Sequence, residues 1–115
     1  MGKRVLVVDD EEDVRTFVRM VLEDAGYEVE TAMDGREGLA AIKISQPDLV
    51  LLDLMMPVMD GWQVLAGVDR HHPPFVILSA SHEPERATKE GATALLSKPF
   101  LVRELIATCR RVLGE

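Results

Sequence analysis

Residues Val5–Val14 read VLVVDDEEDV. Four apolar residues run without a break into five acidic ones, Asp9, Asp10, Glu11, Glu12 and Asp13. A short, unbroken apolar run reads as a strand buried on both faces. Strands buried on both faces belong to parallel sheets covered by helices. Two further runs have the same character: LVLL over residues 49–52, ending at Asp53, and FVIL over residues 75–78, ending at Ser79. The acidic half of the opening stretch needs its own reason. Carboxylates this close repel one another, and a fold would be more stable without the crowding.

Between the apolar runs the period changes. Val14, Phe17, Val18, Val21 and Leu22 fall at helical spacing and predict one apolar helix face. Gly26 is the stop signal. Tyr27 to Ala32 is a weaker strand, because Glu28 and Glu30 alternate with Tyr27, Val29 and Thr31. That alternation predicts an edge strand with one wet face. Asp34 with Glu37 three residues on is a capping pair at a helix start, and Leu39 and Ile42 mark its inner face. Pro57, Asp60 and Gly61 read as loop, followed by a helix through Trp62, Leu65 and Val68. Pro84 to Glu90 is a short polar helix, and Ala94 to Ser97 a last small strand. Leu101 to Leu113 reads as a terminal helix with Leu101, Leu105, Cys109 and Val112 inward. Five alternations of strand and helix predict an α/β fold, a doubly wound five-stranded parallel sheet.

The chain has 115 residues, which fits one domain over residues 1–115 with one core and no output domain after Leu113. A formal net charge of -7 argues against direct nucleic-acid binding, which needs a basic face. The run Val5–Val8 is too short for a signal-peptide core or a membrane span. A lone Cys109 cannot form an internal disulfide, so the expectation is a reduced, cytoplasmic protein away from the membrane.

In an open α/β sheet, ligands bind beyond the carboxyl ends of the strands. Asp9 and Asp10 follow the first strand, Asp53 the third, Ser79 the fourth, and Lys98 with Pro99 the fifth. In the flavodoxin-like strand order 2-1-3-4-5, these ends are neighbours. Three carboxylates, a hydroxyl and an ammonium would converge on one crevice. Hard divalent cations such as magnesium take oxygen ligands, including carboxylates and substrate phosphate. A carboxylate is also a competent nucleophile toward phosphorus when the phosphoryl charge is neutralised. The set is complete for phosphoryl transfer to an aspartate.

The segments VLVVDDEEDVR, PDLVLLDLMMPVMDGW, VILSA and SKPF resemble the receiver domain of bacterial response regulators, in order and from Lys3 to about Leu113. The resemblance implies that Asp53 accepts a phosphoryl group from a phosphohistidine of a sensor histidine kinase or phosphotransfer protein. It implies a magnesium ion held by Asp9, Asp10 and Asp53 with the backbone carbonyl of Met55. Lys98 would contact the phosphoryl group, and Ser79 would close on it. The Lys98–Pro99 bond is often cis in the family. The output would be altered binding of a downstream protein by a monomer or weak dimer. The alternatives are a phosphorelay shuttle and a receiver fragment of a larger DNA-binding regulator or hybrid kinase.

The chain departs from the family pattern at one position and in one interval. The residue three before Lys98, usually Tyr or Phe, is Leu95. The interval from Ser79 to Lys98 is also about one helical turn short, which predicts a shortened fourth helix with Pro84 in its first turn. Other functions fit less well. An FMN phosphate would be repelled by Asp9–Asp13. Asp53-Leu54-Met55 lacks the second acid of a D-x-D phosphatase, and no EF-hand loop occurs. Glu11 to Asp13 read as a solvated first turn, Cys109 as core, His71 and His72 beside Pro73 as a loop and not a metal pair, and His82 as solvent-exposed. Ser81 and Met55 stand where the family tunes dephosphorylation.

Overall fold

The computed structural model describes residues 2–68, 73–80 and 83–115. His71, His72, Ser81 and His82, read above as loop, tuning or exposed positions, lie outside the described residues. The elements alternate through the chain: β1 Arg4–Val8, α1 Glu12–Asp24, β2 Glu28–Ala32, α2 Gly35–Ser45, β3 Leu49–Asp53, α3 Gly61–Ala66, β4 Phe75–Ser79, α4 Pro84–Lys89, β5 Ala94–Ser97 and α5 Val102–Val112. All strand pairs are parallel, in the order β2-β1-β3-β4-β5.

Strand periodicity divides the core in two. Leu6, Val8, Val50, Leu52 and Ile77 point to the face covered by α2, α3 and α4, where they meet Ile42, Val64 and Ala87. Val5, Val7, Leu49, Leu51, Val76 and Leu78 point to the other face, where α1 and α5 bring Val18, Leu22, Leu105 and Cys109. Every residue of β3 and β4 is buried, as central parallel strands require. β2 is an edge strand, as is β5, and its wet face shows: Glu28 and Glu30 are exposed, and Val29 and Thr31 are half-buried.

Local chemistry sets the helix ends. The Asp34 side chain accepts a hydrogen bond from the Glu37 backbone N–H at 2.9 Å, and Glu37 reaches back to the Met33 N–H at 3.0 Å. Asp60 caps α3 in a reciprocal pair with Gln63, both bonds being 2.9 Å. α4 has only six residues with Pro84 in its first turn, as the short interval predicts. No described helix is long and apolar enough to cross a membrane.

Three expectations need correction. Phe17 is 44% exposed, because α1 turns it toward the groove beside Pro99 and Phe100 and away from the sheet. Leu101 is 53% exposed: it stands before α5 as its N-cap and donates its backbone N–H to Glu104 at 2.8 Å. α3 ends at Ala66 with Gly67 as its cap, so Val68 lies beyond the helix, packed against the core from there.

The turn from β3 to α3 contains a strained residue. Val58 has φ 69°, a left-handed value that a β-branched side chain rarely adopts. The turn is tight, with the Met59 N–H donating to the Pro57 carbonyl at 2.7 Å. Val58 is 75% exposed, so little packing repays the strain. Val58→Gly is expected to raise unfolding free energy by about 1 kcal/mol, measured by urea denaturation. The strain relieved outweighs the extra backbone entropy of glycine, which costs about 0.5–1 kcal/mol. A loss of stability would show that the turn is unstrained.

Candidate functional site

The carboxyl ends of β1, β3, β4 and β5 open on one side of the sheet. Asp53 is the last residue of β3, and Ser79 the last of β4. Both are buried, as is Asp9 immediately after β1. Asp10 is exposed at the rim. Register aligns these ends: Asp53 pairs with Leu78, and Ser79 with Ser97, one residue before Lys98. The Lys98 backbone N–H donates to the Ser79 carbonyl at 2.8 Å, which fastens the lysine to the end of β4. The Lys98–Pro99 bond is cis.

Lys98 stands between two acids. Its Nζ lies 2.8 Å from Asp9 Oδ2 and 3.5 Å from Asp53 Oδ1, with Glu11 Oε1 farther off at 4.0 Å. The closer bond is to Asp9, an order that the sequence does not reveal. Burial alone would lower the lysine's pKa. The hydrogen bond to Asp9 and the charges of Asp53 and Asp9 outweigh it, and the ammonium is held above its ordinary value. Asp53 behaves in the opposite sense for an acid. Burial first, and then the charge of Asp9, push its carboxyl up to about 6, against the pull of Lys98. The Met55 N–H also points to Asp53 Oδ1, at 3.4 Å.

Asp9, Asp10 and Asp53 each offer a carboxylate oxygen, all within 4.8 Å of one another. Three carboxylates against one ammonium leave the cluster short of positive charge, and the raised Asp53 pKa is one sign of it. The donors are all oxygen, the set that hard divalent cations prefer. The residues therefore fit a metal of this kind, and the crowding in VLVVDDEEDV narrows to the two aspartates that face Asp53. Glu12 and Asp13 lie in the first turn of α1, where the helix dipole favours them.

The remaining candidates fall as follows. Leu95, where the resemblance leads one to expect an aromatic, is half-buried and packs, as Trp62 does, against the core cluster that contains Val64 and Ala87. Trp62 carries the Arg86 guanidinium 4.2 Å above its ring. Cys109 is core, its thiol pushed up to about 12 by burial and then by Glu115. Two residues of the site region have roles that the sequence does not announce. Gly61, expected as loop, begins α3 and lies so close to the end of β3 that an added Cβ would meet the Asp53 carbonyl. Arg15 reaches back from α1 to the carbonyl of Asp9.

Comparison with known proteins agrees with this geometry. The family model described as the response regulator receiver domain matches residues 5–110. Over 118 aligned residues the chain is 38% identical to the alkaline phosphatase synthesis transcriptional regulatory protein PhoP of Bacillus subtilis, covering 98% of this chain and 49% of that protein. It is 42% identical to the response regulator MprA of Mycolicibacterium vanbaalenii, covering 98% of this chain and 51% of the relative. The chain thus spans about half the length of the curated relatives it matches. Among solved structures, the chemotaxis protein CheY4 of Vibrio cholerae superposes with a TM-score of 0.90 at 39% identity, covering 97% of this chain and 99% of that one.

Proposed function

Because the chain belongs to the response regulator receiver domain family, we propose that it is a phosphoacceptor switch whose acceptor is Asp53. The observation that carries this reading is the convergence of Asp9, Asp10 and Asp53 with Lys98 lodged between Asp9 and Asp53. The donor is a phosphohistidine on a sensor kinase or phosphotransfer protein. An Asp53 carboxylate oxygen attacks phosphorus, the P–O bond forms, the P–N bond breaks, and the leaving imidazole takes a proton. Magnesium is the cation proposed for the carboxylates of Asp9, Asp10 and Asp53 and the backbone carbonyl of Met55. When bound, it neutralises phosphoryl charge that the acids would otherwise repel.

The chain's own groups do the rest. Lys98 exchanges its bond to Asp9 for one to a phosphoryl oxygen. Ser79 donates its hydroxyl to another such oxygen. Their burial keeps bulk water from most of the acyl phosphate. Hydrolysis returns the free carboxylate, so the domain is a switch that turns over only itself. Its output is altered binding of a downstream protein. The transcriptional regulators among the relatives are about twice as long as this chain, which supports a second reading as the receiver half of a larger regulator.

Incubation with magnesium and a small phosphodonor is expected to add one phosphoryl group at Asp53, read by intact mass and peptide mapping. Trp62, the single tryptophan, is expected to change fluorescence with magnesium and again with the donor. A chain that gains no phosphoryl group and shows no magnesium response is not a phosphoacceptor.

A further inference from the structure

We infer that Arg15 is a positioning residue for the metal site, acting through the backbone of Asp9; this rests on the metal-dependent reading above. Arg15 lies on the first turns of α1 and is half-buried. Its Nη1 donates to the Asp9 carbonyl at 2.8 Å, spanning six positions of sequence. Ordinary helix surface arginines point to water or pair with acids one turn away, as Arg19 does with Glu23 at 3.3 Å. Arg15 instead turns back across the start of its own helix.

The target of that bond matters. The connection from β1 to α1 is Asp9, Asp10 and Glu11, and it bears two of the three candidate ligands. Asp9 is held at every polar group. Its N–H donates to the Ala32 carbonyl at 3.2 Å. Its Oδ1 accepts from the Glu11 N–H at 2.9 Å, and its Oδ2 from Lys98 at 2.8 Å. Arg15 supplies the remaining contact, to the carbonyl. That carbonyl belongs to the peptide joining Asp9 to Asp10. Asp10 is exposed, and its side chain meets that of Asp53 across the crevice. Its backbone is set by the peptide on its N-terminal side, which Arg15 holds, and by the Glu11 N–H on the other. Magnesium demands near-ideal octahedral geometry, so a loosened Asp10 costs affinity. Outer partners that orient metal ligands are typically worth 10- to 100-fold in affinity.

Charge and positioning predict opposite signs. A guanidinium beside the cluster repels a dication, so deleting it would tighten binding if charge alone mattered. If Arg15 positions the ligands, deleting it weakens binding. Magnesium chloride titrations, followed by calorimetry and by Trp62 fluorescence, separate the two. Arg15→Ala is expected to weaken magnesium binding by about tenfold. Arg15→Lys keeps the charge and one donor and is expected to fall between Arg15→Ala and wild type. Arg19→Ala, which removes the same charge one turn along α1, is expected to match wild type. Unchanged or tighter binding by Arg15→Ala overturns the inference, as does Arg15→Lys binding no better than Arg15→Ala. If wild type itself shows no magnesium response, the metal-dependent reading falls and this inference with it. If wild type binds magnesium and accepts phosphate while Arg15→Ala binds equally well, only the role of Arg15 is lost.

Discussion

Asp53→Asn is expected to abolish phosphoryl acceptance and, in the same protein without metal, to raise stability at pH 7 by roughly 1–3 kcal/mol. The first effect follows from chemistry. An amide oxygen is a poor nucleophile and forms no stable acyl phosphate under these conditions. The second follows from the raised pKa of Asp53, about 6 against an ordinary 3.8. In the unfolded chain the carboxyl loses its proton near its ordinary pKa. In the folded chain it keeps the proton to higher pH. Between those values the folded state binds more protons, so stability falls as pH rises. The penalty begins near pH 4, is complete somewhat above pH 6, and persists at neutral pH.

Asparagine has nearly the same shape and no charge, so it removes that penalty. Urea unfolding of the chelated protein from pH 4 to 7 measures the effect. Wild type is expected to lose stability over this interval relative to Asp53→Asn, and the two curves to converge near pH 4. Saturating magnesium is expected to narrow the gap from the other side, because a ligand that binds only the folded state stabilises it by mass action. A variant less stable than wild type at pH 7 without metal would show that Lys98 already compensates Asp53 in full.

The division between what the sequence reveals and what it hides has a physical basis. VLVV, LVLL and FVIL are legible because burial on both faces leaves no position for a polar residue. Asp53 and Ser79 are legible because each directly follows such a run, and Lys98 because it follows the small, partly buried strand Ala94–Ser97; the ends of adjacent parallel strands must meet. The shortened α4 is legible from the interval between Ser79 and Lys98. Phe17 and Leu101 are not, because helical period says which residues share a face but not where cover for that face ends. Asp60 with Gln63 carries a capping pattern, but the surrounding Pro57 and Gly61 made the segment read as turn. Arg15 leaves no mark at all. Its acceptor is a backbone carbonyl, which every residue possesses, so no partner residue type announces the bond.

Gly61→Ala is expected to cost about 2–3 kcal/mol of stability and to weaken magnesium binding with it. Glycine at the first position of a helix ordinarily gains from replacement by alanine, by up to about 1 kcal/mol, because the unfolded chain loses freedom. Gly61 has no positive φ that would forbid a side chain, so conformation does not oppose the change. Space does. A Cβ there would stand 2.6 Å from the Asp53 carbonyl oxygen and 2.9 Å from both the Cα and Cδ2 of Leu54. The leucine methyl can turn aside, but the carbonyl oxygen and the Cα are backbone. The Gly61 N–H donates to the Leu54 carbonyl at 3.0 Å, which holds the two segments together and prevents an easy retreat. Relief therefore requires moving the end of β3, and the acceptor carboxylate moves with it.

Gly67→Ala at the other end of α3 is the comparison. There the nearest atom is the Leu39 Cδ1 at 3.2 Å, a side-chain methyl that can give way. Its stability is expected to change by less than about 1 kcal/mol. Urea midpoints and magnesium titrations on both variants check the contrast. If Gly61→Ala were neutral in both measurements, the approach of α3 to Asp53 would be loose, and α3 could not be what seats the acceptor at the end of β3. The close approach also explains why Asp60 and Gly61 stand together: the first caps the helix with its carboxylate, and the second lets the capped end reach the backbone of Asp53.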